Sequence, residues 1–390
     1  MITVDEALAH LFRTGRTTGS ETVALTAAAG RVLAGDAVAG RDQPPFASSA
    51  MDGYALRAAD ARAGAVLDVI GESAAGHRFA GRVGPGQAVR IFTGAPVPEG
   101  ADRVVMQEDV AREGERITLA DTIGESDHIR PRGVDFTIGA RVAAPRRLGP
   151  SEIALLAAMN LGTLEVTRKP QVALISTGDE LVMPGDDPGP DQIVASNTFG
   201  LKALIDAAGA EARILPIARD TDAAIAAAFD LARGTDLVVT IGGASVGDHD
   251  LVGPVAAARG MEQSFYKVAM RPGKPLMAGR MDGVAMVGLP GNPVSAIVCG
   301  HVFLVPMLRA MLGLGAAPAP RLRAVLAHDL PGNGPREHYM RARVEAGSIA
   351  AGDRRDSSLL SVLTSANALL VRAPGDGPRR KGDEVDYIAL

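Results

Sequence analysis

Leu237-Val238-Val239-Thr240-Ile241 runs directly into Gly242-Gly243-Ala244-Ser245-Val246-Gly247-Asp248-His249-Asp250. The first five residues are almost continuously apolar or β-branched, which predicts a strand covered on both faces. Val172-Ala173-Leu174-Ile175 has the same texture. Around these two stretches, strands are expected at 171–176, 212–217, 236–241, 263–269 and 284–288. Helices are expected at 198–208, 221–232, 250–259 and 293–312. Asn197 is expected to cap the first helix and Gly209 to end it, while Gly234 follows the second. This alternation specifies an open parallel α/β sheet, whose ligands bind beyond the carboxyl ends of its strands.

Further out the texture changes. Thr3 and Glu6 have capping-box spacing, and Val4, Ala7, Leu8, Leu11 and Phe12 share one face, so 3–13 reads as an amphipathic helix. Gln43-Pro44-Pro45-Phe46 breaks any regular element. From there to about 139, short strands such as Val66–Ile70 and Gln87–Phe92 alternate with Gly and Pro turns, a β domain. Pro150-Ser151-Glu152 starts a helix over 151–159. Pro318-Ala319-Pro320 is a linker, and the remainder reads as short strands.

Bulk properties narrow the function. A chain of 390 residues is too long for one ordinary core. It carries 40 basic and 45 acidic residues, a net charge of −5, without the basic stripe of a nucleic-acid surface. An anion site must therefore be local. The single cysteine, Cys299, can form neither an internal disulfide nor a multi-thiolate metal site, and its apolar setting predicts a buried, inert thiol. No leader and no uninterrupted membrane-spanning run is read, so a cytoplasmic location is expected.

The chemistry gathers at strand ends. Ser176-Thr177-Gly178-Asp179-Glu180-Leu181 could bring backbone N–H groups and a cation ligand together, or be a turn with solvated acids. The glycines of 242–247 permit close approach to a phosphate, but the loop lacks both the Walker ending and the Rossmann spacing. Asp248 and Asp250 would repel a bare phosphate, so a bridging divalent ion is their natural partner; His249 reads as a solvent-facing or hydrogen-bonded residue rather than a metal ligand. Met270-Arg271-Pro272-Gly273-Lys274-Pro275 sets two cations about a rigid turn, suited to an oxyanion or simply to solvent. Gly288-Leu289-Pro290-Gly291-Asn292-Pro293-Val294-Ser295 opens the last helix, as a ligand loop or a structural one. Four such turns at one sheet edge suit metal-assisted phosphoryl transfer or hydrolysis. The β domain adds an acid among small residues at Asp52, a tight turn at Phe92–Asp102, and Asp135 beside Arg130 and Arg132, where an ordinary ion pair is the plainer reading.

These segments resemble the molybdopterin molybdenumtransferases, the bacterial MoeA proteins and the matching domain of gephyrin. The resemblance rests on Ser49-Ala50-Met51-Asp52-Gly53-Tyr54-Ala55, Thr93-Gly94-Ala95-Pro96, Arg130-Pro131-Arg132-Gly133-Val134-Asp135, Thr177-Gly178-Asp179-Glu180-Leu181, Gly242-Gly243-Ala244-Ser245-Val246-Gly247-Asp248, Pro272-Gly273-Lys274-Pro275 and Leu289-Pro290-Gly291-Asn292-Pro293-Val294-Ser295. They follow the family's order along nearly the whole chain.

The resemblance implies a multidomain α/β protein. An elongated domain is expected from 1–42 and 140–168, an inserted β domain from 43–139, an open, mostly parallel α/β domain from 169–317 and a C-terminal β barrel from 318–390. It implies that molybdate is inserted into adenylyl-molybdopterin with release of AMP, assisted by Mg2+. Asp52, Thr93, Asp135, Glu180 and Lys274 would be catalytic. Thr177, Gly178, Ser196, Asn197, Gly242, Gly243, Ser245, Asp248, Asp250, Arg271, Pro290, Gly291, Asn292, Pro293 and Ser295 would bind pterin, phosphate or molybdate. Glu180, Asp248 and Asp250 would hold the metal. A homodimer is implied, with the β domain of one subunit facing the α/β domain of the other; other enzymes of the cofactor pathway are possible partners, nucleic acid and membrane are not. The family usually has Lys where Arg271 stands, which alters the oxyanion geometry. The rival readings are a molybdopterin adenylyltransferase, which shares the α/β fold, and a non-catalytic, gephyrin-like scaffold.

Overall fold

The computed structural model describes residues 1–243, 251–352, 356 and 358–390. The aliphatic strand Leu237–Ile241 is buried along its whole length and lies near the middle of a six-stranded sheet. Its neighbours Gln171–Ser176 and Val284–Leu289 run parallel to it, and Glu211–Ile214 runs parallel to Gln171–Ser176. Met277–Met281 then pairs antiparallel with Val284–Leu289, and Glu262–Tyr266 antiparallel with Met277–Met281. Two reversals restore the direction, so Glu262–Tyr266 ends at the same edge as the parallel strands.

Met277–Met281 is a strand that the sequence pattern concealed. Gly279 and Arg280 interrupt its apolar run, and the glycine is needed: a Cβ there would meet the carbonyl oxygen of Glu262 at 2.4 Å, beside an irregularity in the pairing. The strands expected at 212–217 and 263–269 end earlier, at Ile214 and Tyr266.

Asn197–Ala208 ends at Gly209 in a left-handed conformation, φ +100°. Asn197 is its first residue rather than its cap, and Ser196 holds the cap position. Capping propensity yields here to a tertiary contact, because the Asn197 amide donates to the carbonyl of Gly291 at 2.7 Å. Pro293–Cys299 continues through a wide π-helical turn at Gly300–Leu304 into Val305–Met311. Pro306 has no N–H for the carbonyl four residues back and would crowd it, which accounts for the widened turn. Pro293–Met311 is long and apolar enough to cross a membrane, against the sequence expectation, but 72% of its apolar window is buried inside the protein.

Val4–Thr14 carries the expected capping box of Thr3 and Glu6. Its apolar face of Val4, Ala7, Leu8 and Leu11 packs into the core of the α/β layer. A four-stranded sheet joins Ser20–Ala24, Thr163–Thr167, Val32–Leu33 and Arg146–Arg147, covered by the helix Pro150–Ala158. Residues between these two halves form a six-stranded sheet, with Gln87–Ile91 and Val66–Ser73 at its centre and Gly53–Leu56 beside Gln87–Ile91. At the C-terminus, Glu337–Glu345, Ser348–Ala351, Leu322–Leu326, Glu384–Ala389 and Ala368–Arg372 close into a five-stranded barrel, because the first strand also pairs with the last named.

Candidate functional site

At the carboxyl edge of the α/β sheet, the hydrogen-bond ladder continues into the loops. The Thr177 N–H donates to Ile241 O at 3.1 Å, and the Gly242 N–H to Leu289 O at 3.1 Å. Three loops are thereby stacked backbone against backbone. Gly242 has φ +91°, and a Cβ on it would lie 2.8 Å from Thr177 O, so side chains are excluded twice over. Asn197 closes the arrangement through Gly291.

The loops enclose a pocket of about 100 Å³ lined by Ser176, Thr177, Glu180, Ser196, Asn197, Gly242, Gly291 and Pro293, among others. Glu180 is its single carboxylate among the described residues, and its oxygens lie over Gly178. Asp179, its neighbour, turns away to accept from the Asp220 N–H at 3.2 Å. The Thr177 hydroxyl is buried and has no hydrogen-bond partner among the described residues. Ser245, Asp248 and Asp250 lie outside the described residues, as does His249. Among the described residues no group of three or more His, Cys, Asp or Glu side chains forms a metal site.

Next to this pocket is a cleft of about 360 Å³. Arg271 and Lys274, both exposed, line one side together with Ser295. The other side comes from the barrel, through Arg336, His338 and Arg341, with Asp356 as the single carboxylate of the lining among the described residues. These barrel residues were not singled out in the sequence. They arrive because the chain leaves the α/β sheet after Tyr266 and Met270–Arg271 then pairs in parallel with Glu337–His338 of the barrel. Arg341 is buried, which lowers its guanidinium from the usual range, while Asp356 pulls the other way. The loop is clamped from below: Gly273, at φ +105°, lies against Cys299, and a Cβ there would be 2.5 Å from the sulfur. Cys299 is the buried thiol expected, pushed above its usual range by burial.

The pocket and the cleft share one stretch of chain. Gly291 and Pro293 line the pocket; Val294 and Ser295 line the cleft. Asn292, between them, is exposed, and Pro290 is buried beneath.

The inserted domain holds Asp52 and Thr93 together. Asp52 Oδ1 accepts from the Thr93 N–H at 2.7 Å and from its hydroxyl at 2.8 Å. These bonds, with the charge of Arg90 added, hold the Asp52 carboxyl below the usual carboxylate range. Asp135 is exposed in a separate loop, where its N–H donates to Gln43 O. The ion pair expected there goes elsewhere, because Arg132 Nε binds Asp42 Oδ2 at 2.5 Å. Neither the pocket nor the cleft includes Asp52, Thr93 or Asp135 in its lining.

Family profiles cover the chain in three pieces. The "MoeA N-terminal region (domain I and II)" matches residues 2–160, a "probable molybdopterin binding domain" matches 173–310, and the "MoeA C-terminal region (domain IV)" matches 323–390. The chain belongs to the molybdopterin molybdenumtransferase family. A molybdopterin molybdenumtransferase of Nostoc sp. is 36% identical over 387 residues, 95% of this chain and 89% of that one. The molybdopterin molybdenumtransferase 2 of Mycobacterium tuberculosis is 38% identical over 363 residues, 90% of each chain. The crystal structure of a molybdopterin biosynthesis MoeA protein from Pyrococcus horikosii superposes with a TM-score of 0.85 at 30% identity, covering 100% of this chain and 99% of that one. This membership favours neither the adenylyltransferase nor the scaffold reading.

Gly273 offers a test of how the cleft is built. Gly273→Ala combines a left-handed backbone with a contact on Cys299, and strain of this kind costs about 1–3 kcal/mol. Thermal melting should fall and the Lys274 turn should shift. A Gly273→Ala protein with an unchanged melting temperature would show that the loop is not pinned there.

Proposed function

We propose that this protein inserts molybdate into adenylyl-molybdopterin, giving molybdenum cofactor, AMP and water, and that it works in the cytoplasm. The observation that carries the reading is the shared loop of 291–295, which puts an oxygen-rich pocket directly beside a basic cleft. A substrate with its phosphates in the first would present its dithiolene to an oxyanion in the second.

In this reading Thr177, Gly178, Ser196, Asn197, Gly242, Gly243, Pro290, Gly291, Asn292 and Pro293 hold the pterin and its phosphates, with Ser245. Hydroxyls suit phosphate oxygens, and the crowded glycines let them come close. Arg271 and Lys274, with Ser295, hold the molybdate dianion. The forked guanidinium offers two parallel N–H donors, and the ammonium a compact charge. The dithiolene brings its own sulfur ligands, which agrees with a chain whose one thiol is buried.

The residues present fit a divalent ion. Mg2+ needs one or two carboxylates and completes its shell with water and phosphate oxygens. Glu180 and the Thr177 hydroxyl, which has no hydrogen-bond partner among the described residues, line the same pocket, and Asp248 and Asp250 follow Gly243 in the sequence. When bound there, Mg2+ would neutralise phosphate charge and ease departure of AMP.

Asp52, Thr93 and Asp135 complete the site from a second copy of the chain in this account. Their separation from both cavities within one subunit supports a homodimer with shared sites. Mixing Asp52→Ala chains with Lys274→Ala chains should then restore activity, since a mixed dimer holds one intact site. Mixtures as inactive as either parent would exclude the shared arrangement.

The role of Lys274 has its own signature. Lys274→Ala should raise the molybdate concentration needed for half-maximal rate by about tenfold or more, the loss of one charge-assisted contact. The dependence on adenylyl-molybdopterin should change little, and Arg271→Lys should stay close to wild type. An unchanged molybdate titration would assign the pair to the pterin phosphates instead.

A further inference from the structure

Arg90 lies on the Gln87–Ile91 strand, directly opposite Tyr54 in the pairing with Gly53–Leu56. Its guanidinium is held on every side. One terminal nitrogen donates to Gly53 O at 2.9 Å and the other to Gln107 Oε1 at 2.6 Å. It lies over two rings, with the guanidinium carbon 5.2 Å from the centre of Tyr54 and 4.7 Å from that of Phe92. An exposed arginine ordinarily keeps several rotamers, at a cost in entropy when fixed. This one is fixed by two acceptors and two aromatic faces.

Two of the partners of Arg90 are the chain neighbours of the two residues proposed to act from this domain. Gly53 follows Asp52, and Phe92 precedes Thr93. Gln107 reaches Asp52 a second way, because its N–H donates to Asp52 O at 3.1 Å. Gly53 itself has no freedom, since a Cβ on it would overlap Val105 O at 2.0 Å. Three loops that carry Asp52, Thr93 and Gln107 thus converge on one guanidinium, while Asp52 Oδ1 binds Thr93 directly.

We infer that Arg90 is the positioning residue of this half of the site, fixing Asp52 and Thr93 for the transfer reaction without contact with either substrate. The inference rests on the reading that Asp52 and Thr93 serve the reaction. Geometry requires arginine here. A lysine could supply the charge and stack on one ring, but it lacks the planar fork whose two terminal nitrogens reach Gly53 and Gln107.

The test is a double-mutant cycle in the full-length enzyme, read as AMP released from adenylyl-molybdopterin in the presence of molybdate. Misplacing a reacting group by about 1 Å can cost about 10²-fold in rate. Arg90→Gln should lower turnover by about 10- to 100-fold, with the KM for each substrate within about threefold of wild type. Arg90→Lys should recover only a minor part. Asp52→Asn should cost on the order of 10²–10³ in turnover. The combined Arg90→Gln, Asp52→Asn enzyme should be no slower than Asp52→Asn alone, within about threefold, because residues acting as a unit are not additive. Gln107→Ala, at an exposed position, removes one anchor and should give a smaller fall of the same type, so the proposal is still tested if Arg90 variants do not fold.

Losses that multiply in the double variant, full rescue by lysine, or wild-type turnover in both Arg90→Gln and Gln107→Ala would each overturn the positioning role. A fully active Asp52→Asn enzyme would instead refute the reading of the site on which it rests. The two failures are therefore distinct.

Discussion

Everything at the carboxyl edge depends on backbone approaching backbone. The peptide ladder of the sheet runs on past the strands, from Thr177 to Ile241 and from Gly242 to Leu289. Side chains cannot be accommodated in that space, so glycine at 242 is a geometric requirement rather than a preference. What the crowding leaves is a small pocket lined by Ser176, Thr177, Ser196 and Asn197, with Glu180 its one carboxylate among the described residues. The same stacking fixes 290–293 and thereby the start of the long buried helix. That helix in turn presses Cys299 against Gly273 and sets the cationic turn. Pocket and cleft are thus coupled through covalent chain and packing, with no flexible linker between them.

Charge acts on a second level. The chain is negative overall, yet the cleft lining gathers Arg271, Lys274, Arg336 and Arg341 against Asp356. A dianion meets a local positive field there that the surface at large does not provide. Half of that field comes from the barrel. The C-terminal domain is therefore part of the proposed site, joined to it by the pairing of Met270–Arg271 with Glu337–His338.

Much of this was legible in the residues. Continuous apolar runs at 172–175 and 237–241 marked strands buried on both faces, and Gly and Pro clusters marked the loops at their ends. Met277–Met281 was hidden because close approach to Glu262 demanded Gly279 and broke the apolar pattern. Propensity makes Asn197 a cap, but a carbonyl 94 residues away takes its amide instead. The barrel arginines carried no local signal, since only a strand pairing across more than sixty residues brings them to the cleft. Asp135 stands near two arginines in the sequence; the fold gives Arg132 to Asp42.

The central claim is that AMP release is coupled to molybdate insertion. It is tested most directly by supplying the purified protein with adenylyl-molybdopterin and measuring AMP with and without molybdate. The account predicts AMP in step with molybdenum-loaded pterin, dependent on molybdate. Formation of adenylyl-molybdopterin from ATP and metal-free pterin, or no AMP under either condition, would contradict it.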